Sequence, residues 1–125
     1  MMRVIQTAEA PSAVGAYSQA TTNEEILFTS GQIPMTADGE LLAEASIAEQ
    51  TEQVFDNIVA ILDSEGGTLE DVLKMTVYLN DIDDFDEMNE VYSGFFDDSP
   101  PARSAVEVAN LPKGVDIEIE AIASL

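Results

Sequence analysis

The sequence contains no cysteine, no histidine and no tryptophan, and only four Lys or Arg among its 125 residues. Each absence removes chemistry. Without Cys there is no disulfide, no thiolate nucleophile and no redox dithiol; without His there is no Ser-His-Asp triad and no zinc finger. No stretch reaches the roughly 18 apolar residues of a membrane span. The opening Met1-Met2-Arg3-Val4-Ile5-Gln6 lacks the apolar core of a signal peptide. The expected location is therefore cytoplasmic. Neither GxGxxG nor GxxxxGK[ST] occurs, so nucleotide phosphates have no evident cradle.

What is abundant is negative charge: 25 Asp and Glu set a formal net charge of −21. Even so, 46 % of the residues are hydrophobic and the mean hydropathy is +0.04, which suits a folded chain rather than a disordered one. The length suits one domain over residues 1–125, burying roughly two thirds of its unfolded surface. The acids are dispersed (Glu40, Glu44, Glu49, Glu52, Asp56, Asp63) rather than gathered in a tail. Such a surface repels phosphates and anionic lipids, so neither nucleic acid nor membrane is expected as a partner. It reads as adaptation to very salty solvent. At about 1 M salt the Debye length falls to about 3 Å and self-repulsion is screened.

Along the chain no repeat or linker appears. Residues 3–7 and 17–22 read as strands, and Asn23-Glu24-Glu25 turns the second into a third at 26–30. Gly31-Gln32-Ile33-Pro34 then breaks that strand. Ser46-Ile47-Ala48-Glu49 has capping-box spacing, and Ile47, Thr51, Val54, Phe55, Ile58, Ile61 and Leu62 recur at helical intervals until Gly66-Gly67. Residues 72–79 alternate, with Leu73, Met75, Val77 and Leu79 expected on one face. A second helix opens at Asp84 and carries Phe85, Met88, Tyr92, Phe95 and Phe96; Pro100-Pro101 ends anything helical. Strands near 102–109 and 115–123 follow, joined by Leu111-Pro112-Lys113-Gly114. The order βββ-α-β-α-ββ is that of an α+β sandwich, a sheet covered by two helices.

Few residues invite chemistry. The acid-rich Asp81-Ile82-Asp83-Asp84-Phe85-Asp86 fails as an EF-hand loop, since position 5 is Phe85, position 6 is Asp86 and position 12 is Tyr92. No metal site is expected. Lys74 sits on the polar face of its strand and Lys113 in a turn. Arg103 stands out in the proline-stiffened stretch Ser99-Pro100-Pro101-Ala102-Arg103-Ser104-Ala105-Val106. Its guanidinium offers a planar fork matched to a carboxylate. Two readings stay open for it: a salt bridge to Glu107 or to an acid elsewhere, or the capture of an anion.

Several segments together resemble the Rid family of reactive intermediate deaminases, the RidA/YjgF type. They are Gly15-Ala16-Tyr17-Ser18-Gln19-Ala20, Thr29-Ser30-Gly31-Gln32-Ile33-Pro34 and Met88-Asn89-x-Val91-Tyr92-x-x-Phe95-Phe96. With them come Pro101-Ala102-Arg103-Ser104-x-Val106-Glu107-Val108 and Leu111-Pro112-Lys113-Gly114-Val115-x-Ile117-Glu118-Ile119-Glu120-Ala121-Ile122-Ala123. The segment before Pro101 is short, and Ala105 stands where many members carry Cys.

The resemblance implies a chorismate-mutase-like fold, a mixed sheet of about six strands with two helices packed on one face. It also implies a homotrimer with sites between subunits. The implied reaction is cofactor-free hydrolysis of 2-enamino and 2-imino acids, such as 2-aminoacrylate and 2-aminocrotonate, to 2-oxo acids and ammonia. Carried over, Arg103 holds the substrate carboxylate and Glu118 places the attacking water. Tyr17, Ser30, Gly31 and Asn89 line the pocket, with backbone contacts at Gly31 and Ala105. Each has a plainer alternative: Glu118 and Glu120 share a strand face and either can be merely exposed, Tyr17 an ordinary strand aromatic, Asn89 a helix-surface residue. The rival function is a non-catalytic module in which Arg103 binds a small carboxylate metabolite. A ribonuclease role, ascribed to some relatives, fits poorly with −21 and no His.

Overall fold

The structure, a computed structural model, describes residues 1–125. Its six strands are β1 (Arg3–Ile5), β2 (Ala20–Thr22), β3 (Ile26–Thr29), β4 (Val72–Leu79), β5 (Ala102–Glu107) and β6 (Ile117–Ser124). They form one sheet in the order β1-β2-β3-β6-β4-β5. All neighbours are antiparallel except β4 and β5, which run parallel. Helices α1 (Ile47–Asp63) and α2 (Phe85–Ser93) cover the same face, as the α+β fold expected from the sequence requires.

The core lies between that face and the helices. From α1 it takes Val54, Phe55, Ile58, Ile61 and Leu62, and from β4 and β6 Met75, Val77, Leu79, Ile117 and Ile119. Strict period-two alternation along β6 puts Ile117, Ile119, Ala121 and Ala123 into the core. Glu118, Glu120 and Ile122 therefore point to the opposite face. No element of the chain covers that face, and Phe28 and Val106 lie exposed on it.

Four local expectations are corrected. Tyr17 lies in a loop, because the second strand begins only at Ala20. A bulge between Val72 and Lys74 buries Val72 and turns Leu73 out to solvent, so Leu73 leaves the face shared by Met75, Val77 and Leu79. Helix α2 stops at Ser93, yet Phe95 and Phe96 still reach the core: Phe95 stacks on Phe55 at 4.2 Å between centroids. At the start of α1, Ser46 accepts from the Glu49 N–H at 3.1 Å, but Glu49 makes no return bond. The full capping box is instead Thr68 with Asp71, ahead of β4.

Candidate active site

The structure sorts the seven candidate residues into two groups on opposite faces of the sheet. Arg103 and Ala105 lie on β5 in register with Met75 and Val77, both core residues of β4, so they share the helix-bearing face. Glu118 lies on β6 in register with Tyr78, on the uncovered face.

The first group meets α2. Arg103 donates from Nη1 to Asn89 Oδ1 at 2.6 Å. Its guanidinium carbon also lies 4.6 Å from the Tyr92 ring centroid and 5.3 Å from that of Phe85. No carboxylate pairs with it, because both ion pairs of the chain belong to Arg3, with Glu24 and Glu65. The suggested partner Glu107 instead accepts from the Ile82 N–H at 2.9 Å. Arg103 opens onto a cleft of about 410 Å³ that Asn89, Tyr92, Ser93, Phe96 and Pro101 help to line. An unpaired guanidinium at a cleft wall is a ready anion site.

The second group surrounds the end of β3. After Phe28 pairs with Ile122, the chain rejoins β6 where Gln32 and Ile119 exchange both backbone hydrogen bonds, at 2.8 and 3.0 Å. In between, residues 29–31 face only Glu120 and Ala121, so the strand bulges, and the Thr29 hydroxyl accepts the Ala121 N–H at 2.9 Å. Gly31 sits in this bulge against the Glu118 carboxyl group, and its own N–H has no partner in the chain. Ser30 donates from Oγ to the Ser18 carbonyl and from its N–H to the Gln19 carbonyl, tying the bulge to the loop that carries Tyr17. Tyr17 and Gly31 line a second, more apolar cleft of about 310 Å³ with Gln32, Ile33 and Lys113.

The two acids of β6 also differ. Glu120 accepts the Tyr78 hydroxyl at 3.1 Å, whereas Glu118 makes no side-chain hydrogen bond within the chain. Burial, followed by the charge of Glu120, pushes the Glu118 carboxyl above its ordinary value. A carboxylate so placed is free to order a water.

Three contributors were not expected from the sequence. Gln19, nearly buried, accepts the Thr7 N–H and donates to the carbonyls of Thr7 and Pro11, clasping the loop that holds Tyr17. Phe85 and Tyr92 are more than core residues, since both rings face Arg103. The signal for them was their spacing about Asn89, at i, i+4 and i+7 on one helix face.

The pattern of a free guanidinium and a free carboxylate on this sheet can be set against known proteins. A family model described as endoribonuclease L-PSP matches residues 7–125. A RutC family protein of Pyrococcus horikoshii is 52 % identical over 123 residues, covering 98 % of each chain. A Rid family protein of Yersinia pestis, solved by crystallography, superposes with a TM-score of 0.95 at 44 % identity over all of both chains. The chain belongs to the Rid family. A further Rid relative, named 2-iminobutanoate/2-iminopropanoate deaminase, is the human protein, 46 % identical over 121 residues, covering 97 % of this chain and 88 % of its own. The Rid fold thus accounts for the whole architecture described above. No helix in this Rid chain is long and apolar enough to cross a membrane.

Proposed function

We propose that the chain hydrolyses 2-imino acids, and their 2-enamino tautomers such as 2-aminoacrylate and 2-aminocrotonate, to 2-oxo acids and ammonia. The observation that carries this reading is the separation of an unpaired Arg103 from an unpaired Glu118 by the thickness of the sheet. One chain cannot apply both to a single small substrate. A second copy, bringing its uncovered sheet face to the Arg103 cleft, can. That favours a homo-oligomer with sites between subunits, the family resemblance implying three copies, and the name of the human relative supports the reaction.

The chemistry needs little beyond these groups. Tautomerisation of the enamine leaves an electrophilic C=N carbon. Arg103 holds the carboxylate in its fork, which turns diffusion into positioning. Glu118 of the facing copy orders a water and takes its proton as oxygen bonds to carbon. Glu118 passes that proton to nitrogen, giving the carbinolamine, then takes the hydroxyl proton and relays it to nitrogen as the C–N bond breaks, so C=O forms and ammonia leaves carrying both water protons. A well-placed acid–base group contributes about 10²–10⁴-fold. The free N–H of Gly31 and the Tyr17 ring would bound the pocket opposite Arg103.

The test is release of 2-oxobutyrate from 2-aminocrotonate, generated in place by a Ser/Thr dehydratase, in molar salt. Wild type should exceed the spontaneous rate. Arg103→Ala should abolish the excess, and Glu118→Ala should lower turnover more than carboxylate binding. If wild type adds nothing while still binding 2-oxobutyrate through Arg103, the chain is a carboxylate-binding module instead. A ribonuclease reading, despite the family model's description, meets a surface of −21 that repels phosphates.

A further inference from the structure

Arg103 belongs to β5, but the groups that hold its guanidinium come from α2. Phe85, Asn89 and Tyr92 occupy one face of that helix, and all three converge on the same cation. All are neutral. In a chain with 25 acids, a carboxylate partner would be the commonplace choice, and it would compete directly with an incoming anion. A ring face attracts the guanidinium, and an amide oxygen accepts its N–H, without cancelling the charge.

We propose that this face of α2 is a positioning clamp for Arg103. The rings of Phe85 and Tyr92 set the plane of the guanidinium, Asn89 sets its rotation, and the remaining N–H groups are left for a carboxylate. A long side chain held in one rotamer before binding loses less freedom when the anion arrives, so the clamp acts on affinity. Phe85, Asn89 and Tyr92 are thus positioning residues, acting through Arg103. For Tyr92 the operative part is the ring: its hydroxyl is buried with no partner, and so contributes no bond to the clamp. The proposal depends on the deaminase reading only for the identity of the anion.

The sequence makes a direct test practical, because it contains just two arginines, Arg3 and Arg103. The side-chain Nε–H region of a nitrogen–proton NMR spectrum therefore holds two signals, assigned with Arg3→Lys. The Arg103 signal should be displaced by ring currents. Tyr92→Phe should retain the displacement, while Phe85→Leu and Tyr92→Leu should reduce it. Titration with 2-oxobutyrate should show Kd rising on the order of threefold to tenfold in the two Leu variants and unchanged in Tyr92→Phe. In turnover Phe85→Leu and Tyr92→Leu should raise KM with a smaller effect on kcat.

An undisplaced Arg103 signal in wild type would overturn the clamp. So would Tyr92→Phe losing as much affinity as Tyr92→Leu, or Phe85→Leu leaving both shift and Kd untouched. Phe85 is only half-buried, so its variant carries the test even if Tyr92→Leu fails to fold. A wild type with the displaced signal and normal Kd, but no turnover, loses the deaminase reading and keeps the clamp.

Discussion

The carboxyl group of Glu118 fills the space that a side chain on Gly31 would need. A Cβ built on Gly31 would lie 2.6 Å from Glu118 Cδ, closer than real side chains approach, and 3.0 Å from its Cγ, at the tight limit. The backbone at Gly31 is not in the left-handed region, so glycine is required there by this approach and not by its dihedral angles.

Gly31→Ala should therefore displace the Glu118 carboxylate and leave the fold intact, because the group that must move is the free end of a side chain. The expected result is a fall in kcat on the order of 10²-fold with an unchanged melting temperature. Steady-state kinetics beside a thermal melt decides it. Full activity in the variant would detach Glu118 from the water-placing role.

The pH dependence follows from the raised Glu118 pKa, due first to burial and second to Glu120. An acid raised in the folded state binds its proton more tightly there than in the unfolded chain. Its ionisation thus destabilises the fold as pH climbs from the ordinary value of 4.5 through the raised one. Glu118→Gln should be more stable than wild type at neutral pH, and the advantage should vanish below the ordinary value. In wild type kcat should fall on acidification through a midpoint above 4.5. A stability difference independent of pH would contradict the assignment.

Gln50 is a buried polar residue of α1 that joins three segments. It donates to the Ala43 and Ala45 carbonyls and to Asp116, and accepts the Asp116 N–H at 2.9 Å. Gln50→Ala leaves these half-buried groups without their partner and opens a gap where a buried side chain stood. The expected loss is about 2–4 kcal/mol, read by denaturant titration, against less than about 0.5 kcal/mol for the exposed Glu52→Ala. Equal losses at the two sites would remove Gln50 from the frame.

Salt should stabilise the protein. The only ion pairs are those of Arg3 with Glu24 and Glu65, and 25 acids otherwise repel one another. Asp84 shows the crowding locally: burial, then Asp116, Asp81, Glu87 and Asp83, raises its carboxyl. Raising KCl from 0.1 to about 2 M should lift Tm, by about 4 °C for each ~1 kcal/mol of repulsion removed. A Tm that falls with KCl would contradict the salt-adapted reading of the surface.

Much of the fold was legible because its signals are local. The stripe from Ile47 to Leu62 and the alternation from Met75 to Leu79 are burial patterns written at periods of about 3.6 and 2 residues. The failures were also physical. The bulge at Leu73 shifts the alternation by one residue, and nothing in a Val-Leu pair says which of the two turns inward. Phe95 and Phe96 keep helical spacing after the helix has ended, because their burial is set by Phe55 rather than by α2. Gln19 and Gln50 gave no periodic signal, since their partners lie in segments whose positions depend on the finished fold.

By itself the sequence determined an inventory without His or Cys, a charge of −21, and an Arg103 fork rare among acids. It also determined which residues share a face along the regular part of each strand, Met75 with Val77 and Leu79 and Ile117 with Ile119, but not at the bulge beside Leu73. It could not say which face receives the helices. That depends on the register of β4 against both β5 and β6, formed by contacts between residues far apart in the chain. Only the tertiary structure decided that Arg103 meets α2 while Glu118 points away on the other side.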